Sequence, residues 1–330
     1  MGQPVSMVEQ WRGGRLECRH VGHAVIVDAK GGIVESWGDP GAVIYPRSSC
    51  KMLQALPMVE SGIADHAGLT TEQLALSCAS HRGAEIHTAR VGRWLADLGL
   101  GESALRCGSH WPGDIPERDR LIIAGETPCQ IHNNCSGKHA GFLTFTKHLR
   151  AGPEYVDADH PIQRAIRQAF EEVTGEESPG YGIDGCSAPN FATSVLGLGR
   201  AMARYAGAEG GDARSDAMVR LREAMMKHPE LVAGEGEADT ELMRAAAGKA
   251  AIKGGADGVH IAILPEHGLG IALKIMDGSD KAREAAIASL LVRLGVIEAG
   301  HPAVIRRLQP EMRNWRGLVT GGLRISPEFQ

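Results

Sequence analysis

Strand-like runs of apolar residues lie toward both ends of this chain, and helical spacing fills its middle. His23 to Trp37 reads as a hairpin: Ala24-Val-Ile-Val27 is β-rich, Lys30-Gly31-Gly32 supplies the turn, and Ile33-Val34 opens the return strand. A short apolar strand, Gly41-Ala-Val-Ile-Tyr45, precedes an amphipathic helix that begins at Lys51 and runs to Glu60. From there to about Arg244 the pattern is mostly helical, broken by loops that carry glycine and proline. The clearest helix runs from Pro161 to Val173: proline occupies the first turn, Ile162, Ile166 and Phe170 recur at helical spacing, and Gly175 follows the end. Ala217 to Lys227 and Val91 to Leu98 are further amphipathic segments. Strand signals return near residue 250. Gly258 to Leu264 and Gly268 to Met276 form a second hairpin around Pro265-Glu-His-Gly268, and Ser279 to Leu294 is a long helix rich in alanine and leucine.

Strands at both ends with helices between them predict an α/β fold: one antiparallel sheet flanked by helices, assembled from the two termini, with a helical lobe inserted. The boundaries that follow are residues 1–60 and 250–330 for a discontinuous α/β sandwich domain and 61–249 for the lobe, with the active site between them. At 330 residues, 43% of them hydrophobic and 23% charged, the chain has the composition of an ordinary globular protein. A net charge of −5 with dispersed basic residues argues against a nucleic-acid partner, and no apolar run reaches membrane-spanning length. Seven scattered cysteines do not form a disulfide framework, and the N-terminus has neither a basic n-region nor an apolar h-region. A reducing cytoplasm is expected.

Candidate chemistry begins with Arg47-Ser48-Ser49-Cys50-Lys51, where a hydroxyl precedes a lysine by three residues at a helix start. Residues i and i+3 share a helix face, so the Lys51 amine would stand one turn from Ser48. A serine hydroxyl becomes a good nucleophile when a neighbouring base takes its proton, and a lysine serves as that base when burial or nearby positive charge lowers its pKa. Arg47 and the helix N-terminus both push that way. Ser-x-x-Lys also arises by chance, so the position carries more weight than the spacing. Ser80-His81-Arg82-Gly83 could face a site, or Ser80 could cap the next helix.

Two further loops are dense in ligand-type side chains: His132-Asn-Asn-Cys135-Ser-Gly-Lys138-His139-Ala-Gly141 and Gly182-Ile-Asp184-Gly-Cys186-Ser-Ala-Pro189. Thiolates favour zinc, yet two isolated cysteines fall short of a Cys-x-x-Cys signature. By spacing alone they read as buried free thiols. Lys253-Gly254-Gly255 leads into a strand, where the lysine could project into a cleft or lie in a solvated turn.

Taken together and in this order, Tyr45-Pro-Arg-Ser48-Ser-Cys-Lys51, Ser80-His-Arg-Gly-Ala-Glu85, the Cys135 and Cys186 loops, and Lys253-Gly-Gly-Ala-Asp-Gly258 resemble the asparaginase II family, the class 3 L-asparaginases typified by inducible rhizobial enzymes. The resemblance implies a serine β-lactamase/glutaminase-like fold, usually paired as a homodimer, and hydrolysis of L-asparagine to aspartate and ammonia. It implies Ser48 as nucleophile with Lys51 as its base, and Ser80 with Lys253 as a second serine–lysine pair. It also implies Cys135, Lys138 and Cys186 as ligands of one zinc ion per chain, water completing the shell. Arg47, Asp184 and His139 are the expected substrate-binding residues. A lysine ligand must be neutral, so zinc uptake should depend on pH. The sequence departs from penicillin-recognising relatives: Gly254 follows the strand lysine where they carry a hydroxyl, and a Ser-Asp-Asn element is missing. Lys249 competes with Lys253 for the second lysine. Two alternatives stay open: a serine amidohydrolase acting on glutamine or another small amide, and a non-catalytic protein that binds zinc or an amino acid.

Overall fold

The computed structural model describes residues 2–330. The chain folds into two compact units, Met1–Ser49 with Thr193–Gly207 and Glu241–Gln330, and Cys50–Ala192 with Ala208–Thr240.

The first unit is built on an eight-stranded antiparallel sheet. The strand order is Glu311–Arg313, Val319–Ile325, Val5–Arg12, Arg15–Asp28, Leu269–Ile275, Val259–Leu264 and Ala251–Gly255, with Ile33–Trp37 also paired to Arg15–Asp28. The first expected hairpin is present: Ala24 lies opposite Trp37, and the Asp28 carboxylate closes the turn by accepting the N–H groups of Lys30 (2.8 Å) and Gly32 (3.0 Å). The second sets Leu273 opposite His260 across the short Pro265–His267 turn. Val259–Leu264 is buried at every position, because the Val195–Gly207 helix covers one face of the sheet and the Asp280–Arg293 helix packs against the other. Ser279 caps the latter helix, accepting the Ala282 N–H at 3.3 Å.

Several expectations need correction. Lys253 does not stand before a strand; it lies inside Ala251–Gly255, opposite Ile261. The Gly41–Tyr45 strand contracts to Val43–Ile44, which pairs with Thr193–Ser194. The strands Val5–Arg12, Glu311–Arg313 and Val319–Ile325 and the first half of Arg15–Asp28 lie outside the sequence reading. The Val195–Gly207 helix, expected in the inserted lobe, belongs to the sheet unit. Its apolar side, Val195, Leu198 and Met202, is buried, and Gly199 sits against the methyl groups of Val25 and Val27.

The second unit is helical. Its centre is Lys51–Glu60, expected as an amphipathic helix but buried continuously from Lys51 to Val59. The helices Thr71–Ser77, Ser136–His148, Pro161–Thr174 and Ala213–Lys227 pack around it, so it has no solvent face to reserve for polar residues. Pro161 and Gly175 stand at the two ends of the Pro161–Thr174 helix as their chemistry predicts, with Gly175 in the left-handed conformation. Thr70 and Gln73 form a reciprocal capping box at the start of Thr71–Ser77.

Candidate active site

In the sheet unit, Ser48 is half-buried in the 3-10 turn Arg47–Cys50 that leads into the Lys51–Glu60 helix. Arg47 has φ of 54°, a left-handed conformation that costs a residue with a Cβ atom, and its guanidinium is ion-paired with Asp257. Ser49 is buried and donates its hydroxyl to the Pro46 carbonyl at 2.7 Å. The strand that carries Lys253 runs against this turn. A Cβ added at Gly255 would meet the Pro46 oxygen at 2.7 Å and the Ser49 nitrogen at 3.1 Å, so only glycine allows the approach. Strand alternation puts Lys253 and Gly255 on the same face. Lys253 is buried and donates to the Gly254 carbonyl at 2.7 Å.

In the helical unit, Lys51 is fully buried at the first turn of the central helix. Its Nζ donates to the Ser80 hydroxyl at 2.9 Å, to the Cys135 sulfur at 3.2 Å, and to the Ala79 carbonyl. Ser80 does not cap the following helix; Ala84 holds that position. Ser80 lies instead in an extended segment fixed by its own N–H to the Val232 carbonyl (2.8 Å) and by the His81 N–H to the Asn134 carbonyl (3.1 Å). His81 is buried and bonded through Nε2 to Ser136 Oγ at 2.9 Å, which joins this segment to the Cys135 turn.

Cys135 precedes the Ser136–His148 helix, and Asn133 shapes the turn by accepting the Cys135 N–H at 2.8 Å. Gly137 lets this helix press on Thr71–Ser77: a Cβ there would meet the Leu76 oxygen at 2.5 Å. One residue on, Lys138 is buried and donates to the Cys186 sulfur at 3.0 Å. The interaction of the two thiols, together with burial, raises the Cys135 pKa well above its ordinary value and, with the Lys138 charge, lowers that of Cys186 against the cost of burial. Burial works against the Lys138 ammonium, but the charges of Cys186, Cys135 and Asp184 outweigh it and raise its pKa. Cys186 and Lys138 are therefore a buried pair in which each favours the charged form of the other. Ser187, with φ of 70°, turns the loop that holds Cys186, and Asp184 Oδ2 lies 4.0 Å from its sulfur.

His139 is fully buried, its pKa pushed down to about 4 by burial, and its Nδ1 is 2.9 Å from the Tyr155 hydroxyl. Burial pushes the nearby Cys50 thiol up to about 12, which leaves it inert.

The helical unit thus unites Lys51, Ser80, Cys135, Lys138, Cys186, His139 and Asp184, and the sheet unit unites Ser48, Arg47 and Lys253 with their strand and turn. Two positioning residues escaped the sequence reading. Ser136 stood within a quoted motif, but its bond to His81 links stretches 55 residues apart. Tyr155 has no local signal at all. Among the described residues no three His, Cys, Asp or Glu side chains are placed to hold a metal, so a metal here needs Lys138 as its third ligand. Two buried sulfurs and one buried amine, with Lys138 Nζ 3.0 Å from the Cys186 sulfur, are a donor set that fits zinc.

The family model for L-asparaginase II matches residues 8–325. No curated protein matches the chain. Among solved structures, Mglu in its Tris and glutamate form is similar, with 13% identity and a TM-score of 0.50, over 91% of this chain and 64% of its own. A β-lactamase from Mycobacterium bovis is similar with 14% identity and a TM-score of 0.48, over 84% of this chain and 95% of its own. An octameric penicillin-binding protein homologue from Pyrococcus abyssi gives 12% and 0.37, over 90% and 80%. At such identities the likeness to Mglu is one of fold, and it agrees with the α/β class expected from the sequence.

Proposed function

The chain belongs to the L-asparaginase II family and is an amidohydrolase, and from that premise we propose that it hydrolyses L-asparagine to L-aspartate and ammonia through a serine acyl-enzyme. The observation that carries the mechanism is the buried Lys51 amine 2.9 Å from the Ser80 hydroxyl. Ser48 is the nucleophile, and the strained Arg47 before it is in keeping with a backbone set for chemistry rather than for stability. The Lys51 amine takes the Ser48 proton as the oxygen attacks the side-chain amide carbon. Ser80, bonded to the same nitrogen, relays that proton to the departing amine, so ammonia leaves rather than an amide anion. Water then attacks the acyl-enzyme, and the proton path runs in reverse. Lys253 is assigned to the second serine–lysine pair by the family resemblance.

Asp184 and Arg47 suit the α-ammonium and α-carboxylate of an amino-acid substrate. His139 is better placed to hold the Tyr155 contact than to touch substrate, because it has no exposed surface. Cys135, Lys138 and Cys186 are assigned to one zinc ion. When bound, zinc supplies Lewis-acid polarisation and a fixed anchor for a substrate or water oxygen. We place the protein as a homodimer in a reducing cytoplasm, in keeping with its seven free cysteines. No helix among the described residues is long and apolar enough to cross a membrane.

Ammonia release from asparagine, glutamine and other small amides, measured with and without a chelator, tests this reading. Release from asparagine that disappears in Ser48→Ala supports it; near-normal turnover in that variant removes the nucleophile assignment. Faster release from glutamine would move the assignment to the one-methylene-longer substrate. Elemental analysis of protein prepared without chelators should find about one zinc per chain. None after reconstitution would leave the cysteines as buried thiols.

A further inference from the structure

A second set of reactive side chains precedes the Cys135 turn and takes no part in the chemistry above. The helix Ile115–Ala124 and the 3-10 turn Gln130–His132 bring Glu117, His132 and Cys129 into line. His132 Nδ1 lies 3.3 Å from the Cys129 sulfur and accepts the Cys129 backbone N–H at 3.1 Å. In a neutral imidazole the nitrogen that accepts a backbone N–H has no proton, so the proton is on Nε2. Nε2 faces the Glu117 carboxylate at 3.6 Å, and both side chains are nearly enclosed, 12% and 11% exposed. Arg120 holds Glu117 at 2.9 Å and, with His132, lowers its pKa, so the carboxylate is charged at neutral pH. Cys129 itself is half-buried, open to small reagents. The order is a nucleophilic sulfur, an unprotonated imidazole nitrogen 3.3 Å from it and shared with the Cys129 N–H, and a carboxylate that faces the other ring nitrogen.

We propose that Cys129 is a reactive thiol and a site of oxidation by small hydroperoxides, with His132 as its base and Glu117 as the residue that positions His132. In the step, the thiol proton passes to His132 Nδ1 and the sulfur attacks one oxygen of hydrogen peroxide. The O–O bond breaks as the S–O bond forms, and the departing hydroxide recovers the proton and leaves as water. The sulfur is oxidised to a sulfenic acid and the peroxide is reduced. The other thiols lack this arrangement. Cys50 and Cys107 are buried, and Cys18 is exposed on Arg15–Asp28 with no imidazole bonded to its sulfur.

The test uses the full-length protein, reduced and desalted. It is exposed to limiting iodoacetamide, or to hydrogen peroxide with dimedone, and each cysteine peptide is quantified by mass spectrometry. Cys129 should be alkylated about tenfold faster than the more exposed Cys18, and it should carry the dimedone adduct. His132→Gln should bring the Cys129 rate down to that of Cys18 without changing Cys18. Glu117→Gln should remove part of the advantage. Equal rates at Cys129 and Cys18 in the native protein, or an unchanged Cys129 rate in His132→Gln, would overturn the proposal. If labelling of buried Cys78 shows that His132→Gln is unfolded, Glu117→Gln decides: a slower Cys129 upholds the proposal and an unchanged one ends it. None of these readouts involves amide turnover, so this outcome is separate from that of the asparaginase reading.

Discussion

The two units bury different things at their centres. In the sheet unit the strand Val259–Leu264 and its neighbour Leu269–Ile275 bury mainly aliphatic side chains under two helices. In the helical unit the central positions hold Lys51, His81, His87, Lys138, His139, Asn133 and Ser136, all buried. Apolar burial stabilises a fold directly, whereas a buried charge or imidazole costs free energy unless its neighbours answer it. Several members are answered by a neighbour, Lys51 by Ser80 and Cys135, Lys138 by Cys186, and His81 by Ser136, while one ring nitrogen each of His87 and His139 is buried without a hydrogen-bond partner. The contrast is between a sheet centre packed with aliphatic side chains and a helical centre packed with polar and ionisable ones; the sheet unit carries its own chemistry at the Ser48 turn and at Lys253.

The sharpest way to break the contrast is to make the helical centre apolar. Lys51→Met should lower ammonia release by about 10²–10⁴-fold, the range for a lost general base, while urea unfolding shows a loss of only about 1–3 kcal/mol, the cost of leaving the Ala79 carbonyl and Ser80 hydroxyl without their donor. Loss of folding with loss of activity would mean that Lys51 is structural. Next in size, Cys186→Ser in zinc-free protein leaves the Lys138 charge without its thiolate. It should cost about 3–5 kcal/mol in urea unfolding, and Cys186→Ser combined with Lys138→Met should recover most of that. If the double variant is no more stable than the single, the pair is not an ion pair.

On the sheet side, Ile261→Ala should cost about 2–4 kcal/mol in the same assay, with turnover per folded molecule unchanged. A fall in turnover matching that of Lys51→Met would erase the division between the units. The pH response should be smaller. Burial lowers the pKa of His81 and His87, and the two rings stack with centroids 4.7 Å apart. Above about pH 6.5 both are neutral in folded and unfolded chains alike. Below it the unfolded chain takes up protons that the folded one refuses, so stability falls with falling pH. Melting temperature should therefore drop between pH 7.5 and 5.5, and less in His87→Asn; an equal drop in both would assign the acid response elsewhere. Smallest of all, Thr70→Ala should cost about 1 kcal/mol through the lost cap.

The helices Pro161–Thr174 and Asp280–Arg293 and both hairpins were legible because local chemistry marks their ends: proline and glycine at one helix, Ser279 at another, Lys30-Gly31-Gly32 and Pro265-Glu-His-Gly268 at the turns. The hairpin of Val5–Arg12 and Arg15–Asp28 was passed over although Gly13 and Gly14, both with positive φ, mark its turn. Charged residues such as Glu9, Arg12, Arg15 and Glu17 hid its alternation. Val319–Ile325 is weakly apolar and carries two glycines, so its strand state depends on pairing with Val5–Arg12.

What the sequence determined by itself is the inventory and its order: the hydroxyl–lysine step at 48 and 51, the Cys135 and Cys186 loops, and an α/β chain with helices between terminal strands. Only tertiary structure decided that Lys51 is buried against Ser80 and Cys135, that Lys138 meets Cys186 across 48 residues, and that Tyr155 secures His139. The reason is physical. Capping, turn chemistry and periodicity act over a few neighbouring residues and leave a trace in the sequence. The partner of a buried charge is set by which distant segments the apolar core draws together, and no local pattern encodes that.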